Sequence, residues 1–470
     1  MKEKDPKKLY KTVVIIAVIT SALLIAALIY AAVSEKVVPT VRTETVILLL
    51  IAMVFLPVTL LTLIILAKKL KSEGGGDVVL KVAGGSIPVA APVAAADGLV
   101  KRGSAEDADE DRRRFYSLSN IDAEYKKYQR ESYDKGITLK NFCESFRAFS
   151  CSELNLYYSI EDIMRFVAGL AVSKLIILQG MSGTGKTSLA FAMGEFLDNY
   201  STVIPVQPMW KERTDLIGYY NEFTKKFNET TLLSKMYEAN YSKDIYITVL
   251  DEMNIARVEY YFAEFLSLLE LPNASRRYLD VVSDHWATDP KQLKKGQIKL
   301  PENMWFIGTA NNDDSTFAIS DKVYDRAMIL NLDKKCQPFT CPKTPKTHLA
   351  AEDFKMLIKD ALEEYSITVR NLKRLEKLDK YMIKHFRITF GNRIMKQIKT
   401  YVPVYVACGG AEIDALDDII SKKVLRKLEM QNPIYVKNEA QGFMSFLDEL
   451  FGENSMPLCR EAVERIEKNV

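Results

Sequence analysis

The chain runs to 470 residues, 48% hydrophobic and 27% charged, a globular balance with room for two or three domains. Its net charge of +3, from 64 basic and 61 acidic residues, excludes a polycation that coats nucleic acid along its whole length and leaves only local patches. Six scattered cysteines read as reduced thiols rather than a disulfide scaffold, and although Cys336 and Cys341 are near enough to pair or share a metal, none of the three histidines stands at finger-like spacing.

In chain order, residues 12–33 are 22 consecutive residues without a charge and 45–67 are 23 more, each long enough to cross a ~30 Å hydrocarbon core as a helix. The first run also fits a cleaved signal sequence, but its length and the second run favour an anchor of two transmembrane helices over 1–71. Lys2, Lys4, Lys7, Lys8 and Lys11 precede the pair and Lys68, Lys69 and Lys71 follow it, against Lys36 and Arg42 between, so both ends are expected in the cytoplasm, at the inner membrane. Residues 72–114 hold Gly74-Gly75-Gly76, an Ala/Val/Pro stretch and an acidic run abutting Arg112-Arg113-Arg114. They read as a flexible linker with a solvated charge run. Over 115–158, Leu118, Ile121, Tyr125 and Tyr128, then Leu139, Phe142, Phe146 and Phe149, recur at helical spacing, which predicts a helical extension with these rings in its core.

Gly180-Met181-Ser182-Gly183-Thr184-Gly185-Lys186-Thr187 fits G-x-x-x-x-G-K-[ST], a loop whose backbone N–H groups cradle phosphate while the lysine reaches the β- and γ-phosphates and the hydroxyl binds Mg²⁺. Its context is right: an apolar run at 175–178 predicts a buried strand, and Ser188 onward opens a helix with good formers. A second apolar run, 245–250, ends in Asp251-Glu252, which places one carboxylate to hold Mg²⁺ and the next to polarise an attacking water. A third, 304–310, ends at Asn311-Asn312, where an amide can orient that water or contact the γ-phosphate, though Asn-Asn-Asp-Asp also makes a turn. Taken alone, Arg326 is a surface arginine.

Together these segments resemble the AAA+ ATPases, in the branch that holds the McrB and MoxR families. The resemblance is carried by 180–187, by Asp215-Leu216-Ile217-Gly218, most specifically by 250–262 (LDEMNIARVEYYF), and by 307–311 and Asp325-Arg326; it covers about 160–428. It implies an α/β P-loop core, a parallel five-stranded sheet flanked by helices over 159–345, and a helical lid within 346–470. It also implies a homo-oligomeric ring, usually a hexamer, in which Arg326 enters a neighbour's site to stabilise transition-state charge. Asn311 then senses the γ-phosphate, and Arg393, with Arg387 as its competitor, is the lid arginine that contacts nucleotide.

The resemblance further implies a hairpin inserted near 215–227 and directed at the ring pore. Tyr219, Tyr220, Lys225 and Lys226 are its candidate substrate contacts, with Trp210 and Arg213 on the same surface; local packing of the two tyrosines is the competing reading. ATP is expected rather than GTP, because Asn312-Asp313-Asp314-Ser315 differ from the Thr-Ala-Asp-Arg of McrB. McrB relatives drive nucleases carried on another chain and MoxR relatives remodel proteins, so the expected partners are a separately encoded effector and a protein or DNA substrate. The rivals are a nucleotide-gated membrane scaffold with little turnover, a pore-forming effector, and a GTP-dependent restriction motor. Past 349, stripes such as Phe354, Leu357, Ile358 and Leu362, or Ile394, Ile398, Val402 and Val406, predict the lid, while 441–470 add helices without a legible purpose.

Overall fold

A computed structural model describes residues 113–311, 316–333 and 335–468. The two expected membrane spans and nearly all of the expected linker lie outside the described residues. Among those described, no helix is long and apolar enough to cross a membrane.

The folded part begins before the point at which the charge run suggests. Arg114 is buried, and its guanidinium donates to Asp284 and to both carboxylate oxygens of Asp289 at 2.7 Å, with its carbon 4.5 Å from the Trp286 ring centroid. A fork of donors matched by two carboxylates makes this burial tolerable. Its partners lie 170 and 175 residues away, so local composition gave no sign of them. Helix α1 (Ser117–Ala123) follows, its first turn capped by the Glu229 carboxylate, which accepts from the N–H groups of Tyr116, Ser117 and Leu118. The helical spacing continues through Tyr128, yet the helix stops at Ala123 and Tyr125–Tyr128 form a 3-10 turn. The break is held from outside, where Asp122 accepts from Tyr237 Oη at 2.6 Å and Lys291 N at 2.7 Å.

Helices α2 (Leu139–Leu154) and α3 (Ile160–Val172) start at Thr138 and Ser159, whose hydroxyls accept from the third residue on, as N-caps do. The rings of α2 are core, as their spacing predicts: Phe142, Phe146 and Phe149 each lie 5.4 Å from Phe196 of α4 (Lys186–Phe196). Five parallel strands form the central sheet: β1 (Leu175–Gln179), β2 (Thr202–Pro205), β5 (Tyr246–Asp251), β9 (Met304–Ala310) and β10 (Met328–Asn331), in the order β10-β1-β9-β5-β2. Strands β1 and β9 are buried along their whole length, which is why both read as unbroken apolar runs instead of alternating ones. Two antiparallel insertions interrupt the sheet. One is the hairpin β3 (Gly218–Asn221) and β4 (Lys226–Glu229), followed by α5 (Thr231–Ala239); the other comprises β6 (Tyr278–Asp280), β7 (Leu293–Lys294) and β8 (Gln297–Lys299), preceded by α6 (Ala263–Glu270).

The lid contains α7 (Ala351–Glu364), α8 (Val369–Phe386), α9 (Gly391–Ala407) and α10 (Glu412–Lys423). Helices α11 (Pro433–Phe451) and α12 (Pro457–Lys468) complete it, since Phe443, Leu447, Val463 and Ile466 share one apolar core with α9, α10, α2 and α3. The helices over 441–468, illegible in sequence, are therefore part of the lid core.

Candidate nucleotide site

The phosphate loop leaves β1 and enters α4. Gly180, Gly183 and Gly185 have φ of 144°, 75° and 90°, the left-handed side that side chains avoid, and a Cβ on Gly180 would come within 2.5 Å of Leu332 O. Tyr158, just before α3, braces the loop: its hydroxyl donates to Gly185 O at 3.1 Å, and burial pushes that hydroxyl's pKa well up, so it stays a donor. Lys186 is buried with its Nζ turned over the loop, donating to Gly180 O at 2.9 Å and Met181 O at 2.8 Å. Ser188 follows in the first turn of α4.

Two neighbouring strand ends and the first turn of α4 supply the acids and hydroxyls. Asp251 Oδ1, at the tip of β5, accepts from Thr187 Oγ1 and from Thr309 Oγ1 of β9, both at 2.8 Å. The same Thr309 oxygen accepts from the backbone N–H of Glu252 at 2.9 Å. Glu252 sits at φ 52°, ψ 46°, a left-handed conformation unusual for a side-chain-bearing residue, and is exposed. The chain thus turns at Glu252, leaving it exposed, while Asp251 stays bonded to Thr187. Sequence reasoning placed both acids but missed Thr309, whose only signal was a hydroxyl inside an otherwise apolar strand.

Asn254 is the second omission. Buried, it donates through Nδ2 to the carbonyls of Asn311 at 2.8 Å and Phe317 at 3.3 Å, and its Oδ1 accepts from Asn311 N at 3.3 Å. It locks the backbone of the expected γ-phosphate sensor to the turn that carries Glu252. Gly308 permits this packing, because a Cβ there would stand 1.9 Å from Met253 Sδ.

Asn311 also lines a cavity of about 880 Å³ between the carboxyl ends of the strands and the lid, with Gln179 and Tyr324 on one wall and Arg426, Glu461 and Arg465 on the other. Crevices at the carboxyl ends of parallel strands are the usual ligand position in such sheets. Here α12 helps to wall it, which no sequence feature announced.

The two remaining arginines lie elsewhere. Arg326 precedes β10 and its carbonyl accepts from Ser173 Oγ, at the entry to β1, so it stands at the opposite end of the strands from the phosphate loop, about 20 Å away at ~3.3 Å per residue. Arg393, in the first turn of α9, is not among the phosphate-loop residues either: it pairs with Glu270 and lies 4.0 Å from Asp325, beside Arg326. The lid thus turns the first turn of α9 toward the Arg326 side, where the lid arginine Arg393 meets Glu270. Arg387 ends α8 in a left-handed, exposed turn.

Hairpin β3–β4 forms as the resemblance implies, but its four candidate residues divide. Tyr219 is 51% exposed, whereas Tyr220 packs edge-on to Trp286 at 6.3 Å and under the Arg114 guanidinium, so its part is local packing. Lys225 pairs with Glu222 at 2.9 Å across the turn, and Lys226 opens β4 with an exposed side chain. The most exposed group is one that sequence reasoning did not single out: Phe223, fully exposed at the tip, where the Asn221 side chain accepts its N–H at 2.9 Å. Trp210 and Arg213 are tied down instead, to Tyr261 at 5.6 Å and Glu264 at 2.9 Å.

A phosphate loop, an acid pair at the adjoining strand ends and a five-stranded parallel sheet with a helical lid together define an AAA+ core. Residues 175–327 match the AAA domain (dynein-related subfamily), and residues 346–470 match a domain of unknown function, DUF8727. Among solved structures the chain is similar to a full-length MCM homolog from Methanopyrus kandleri, at 10% identity and a TM-score of 0.35, covering 63% of each chain and so less than two thirds of that protein's length. No curated protein matches it.

Proposed function

We propose that this chain is a ring-forming ATPase, tethered to the inner membrane by helices over 12–33 and 45–67 with its ATPase domain in the cytoplasm. In this reading it couples hydrolysis to remodelling or translocation of a protein or nucleic acid, together with a separately encoded effector. The observation that carries the catalytic part is the Thr187–Asp251–Thr309–Glu252 network, with 2.8 and 2.9 Å links beside a glycine phosphate loop. The donor set is hydroxyl and carboxylate oxygen, which fits Mg²⁺ and no softer metal. Thr187 and Asp251 would hold that ion, which neutralises charge on the phosphates when bound.

The chain's own residues do the rest. Loop N–H groups and Lys186 bind the β- and γ-phosphates; Glu252 accepts a proton from the attacking water; Asn311, fixed by Asn254, orients that water against the γ-phosphate. Arg326 supplies positive charge to the next subunit's transition state, because it stands at the far end of the strands from its own loop. Exposed Tyr219 and Phe223 at the hairpin are the substrate-facing groups.

The test is turnover by the full chain in detergent, with ATP against GTP and wild type against Glu252→Gln, and mass measured under the same conditions. ATP turnover that falls by orders of magnitude in the variant, with a nucleotide-stabilised ring, supports the motor. Assembly without turnover, even with candidate substrates added, replaces it by the nucleotide-gated scaffold.

A further inference from the structure

Glu270, the last residue of α6, gives one carboxylate oxygen to each of the two arginines just described. Arg326 Nη2 lies 2.6 Å from Oε2, and Arg393 Nη2 pairs with Oε1. The arginines come from different parts of the fold, one from the turn before β10 and the other from the lid. Arg326 is held further: its Nη1 donates to Lys322 O at 2.6 Å, its Nε is buried without a partner, and only 17% of the side chain is exposed. A guanidinium placed to serve another subunit is thus turned onto its own.

We propose that Glu270 is a parking carboxylate. In the unassembled subunit it holds Arg326 and Arg393 together on their own chain, and the triphosphate of a neighbouring subunit releases them by taking its place. This rests on the reading of Arg326 as trans-acting, and adds that the catalytic interface forms by exchange of one anion for another. Without a carboxylate between them, two guanidiniums that converge on one point repel. With Glu270 in place, an incoming polyphosphate carries more negative charge than the carboxylate and offers each arginine bidentate acceptors, so nucleotide displaces Glu270 where water does not.

The carboxylate's position is fixed from the central sheet of the same subunit. Phe262 and Phe265 at the start of α6 stack at 4.8 Å, and both meet Phe306 of β9 edge-on, at 5.3 and 5.5 Å. Asn311 directly follows strand β9, so the helix that parks the arginines is mounted on the strand that leads to the proposed γ-phosphate sensor.

The experiment uses the full chain in detergent and compares wild type, Glu270→Gln and Glu270→Asp. Turnover is measured against subunit concentration, and labelling of Arg326 and Arg393 by an arginine-selective dicarbonyl is followed by peptide mass in dilute, unassembled subunits. In Glu270→Gln, half-maximal turnover is expected at about tenfold lower subunit concentration with the maximum nearly unchanged, the size of one lost charge-assisted bond. Both arginines should label several-fold faster. Glu270→Asp keeps the charge and should move both readouts back toward wild type, which a merely structural effect would not do. Unchanged labelling overturns the proposal; so does a lowered maximum at an unmoved midpoint, which makes Glu270 an aligning residue for the reaction. Labelling needs no hydrolysis, so it decides on parking even if the chain proves to be no ATPase.

Discussion

Thr309 carries two hydrogen bonds on one oxygen, donating to Asp251 and accepting from the N–H of Glu252, and it stands in the strand that leads to Asn311. Thr309→Val keeps the shape but leaves the Glu252 N–H without its acceptor and Asp251 with one donor fewer. We expect kcat to fall by about two orders of magnitude, the usual size for a preorganising hydrogen bond, with KM for ATP little moved and Thr309→Ser recovering most of the rate. Steady-state kinetics beside a melting curve checks this; a loss that tracks melting temperature alone would mean that Thr309 only supports the fold. Asn254→Asp tests the other brace. It loses the amide that serves the carbonyls of Asn311 and Phe317 and places acceptors against acceptors, a cost of about 1–3 kcal/mol. Lower kcat at unchanged nucleotide affinity, by titration of a non-hydrolysable analogue, is the expected result.

At the scale of elements, the lid is joined to the arginine turn by a buried amine. Lys423, at the end of α10, donates through Nζ to Tyr324 O at 2.7 Å and to Ala327 O, gripping the backbone on both sides of Arg326. Burial pulls its pKa down to about 7, with Asp325 acting in the opposite direction and Arg426 adding to the fall. The sign of the linkage follows. Between pH 7 and the ordinary lysine value of 10.5 the unfolded chain binds a proton that the folded chain does not, so this residue's contribution to stability rises with pH across that window; below pH 7 its cost is present in full. Denaturant midpoints of wild type should therefore gain on those of Lys423→Met from pH 7 to 10, and a flat difference would rule the linkage out. In hairpin β3–β4, Gly218 has φ of 94° and a Cβ there would lie 1.9 Å from Asn228 O, so Gly218→Ala should unseat the hairpin. Phe223→Ala should leave it intact. Substrate-stimulated turnover is expected to be lost in both, and basal turnover kept in Phe223→Ala; equal stimulation in wild type and Phe223→Ala would remove the tip from the substrate path.

For the whole molecule, α11 and α12 are structural rather than appended. Asp417 of α10 is buried, and its carboxylate accepts from Leu458 N and Cys459 N at 2.8 Å each, bonds that oppose the upward pull of burial on its pKa. Deleting 432–470 would leave that carboxylate unpaired and uncover Leu425 and Leu428, so the truncated chain should aggregate or melt well below the full one, as gel filtration and calorimetry would show. The ring itself is tested by mixing. Lys186→Ala and Arg326→Ala subunits should each be inactive alone, and together should regain turnover that neither shows, because an intact loop then meets an intact arginine across the boundary. No recovery would place Arg326 outside the reaction.

By itself the sequence determined what depends on neighbours in the chain. A parallel strand buried on both faces must be an apolar run, and a phosphate loop must have glycines at its turns and a lysine and hydroxyl at the start of the next helix, so β1, β5, β9, the loop and the Asp251-Glu252 pair were all legible. Tertiary structure decided what depends on meeting distant residues. Arg114 is buried and not solvated because Asp284 and Asp289 come to it; Thr309 and Asn254 acquire their roles only where the ends of β5 and β9 meet; Tyr220 packs because Trp286 lies across from it. Arg326 and Arg393, 67 positions apart, share one carboxylate because the lid folds back beside the turn that opens β10. A single charged residue has no periodicity and carries no mark of its partner in the sequence, and long-range ion pairs of this kind are settled by the packing of the elements that bear them.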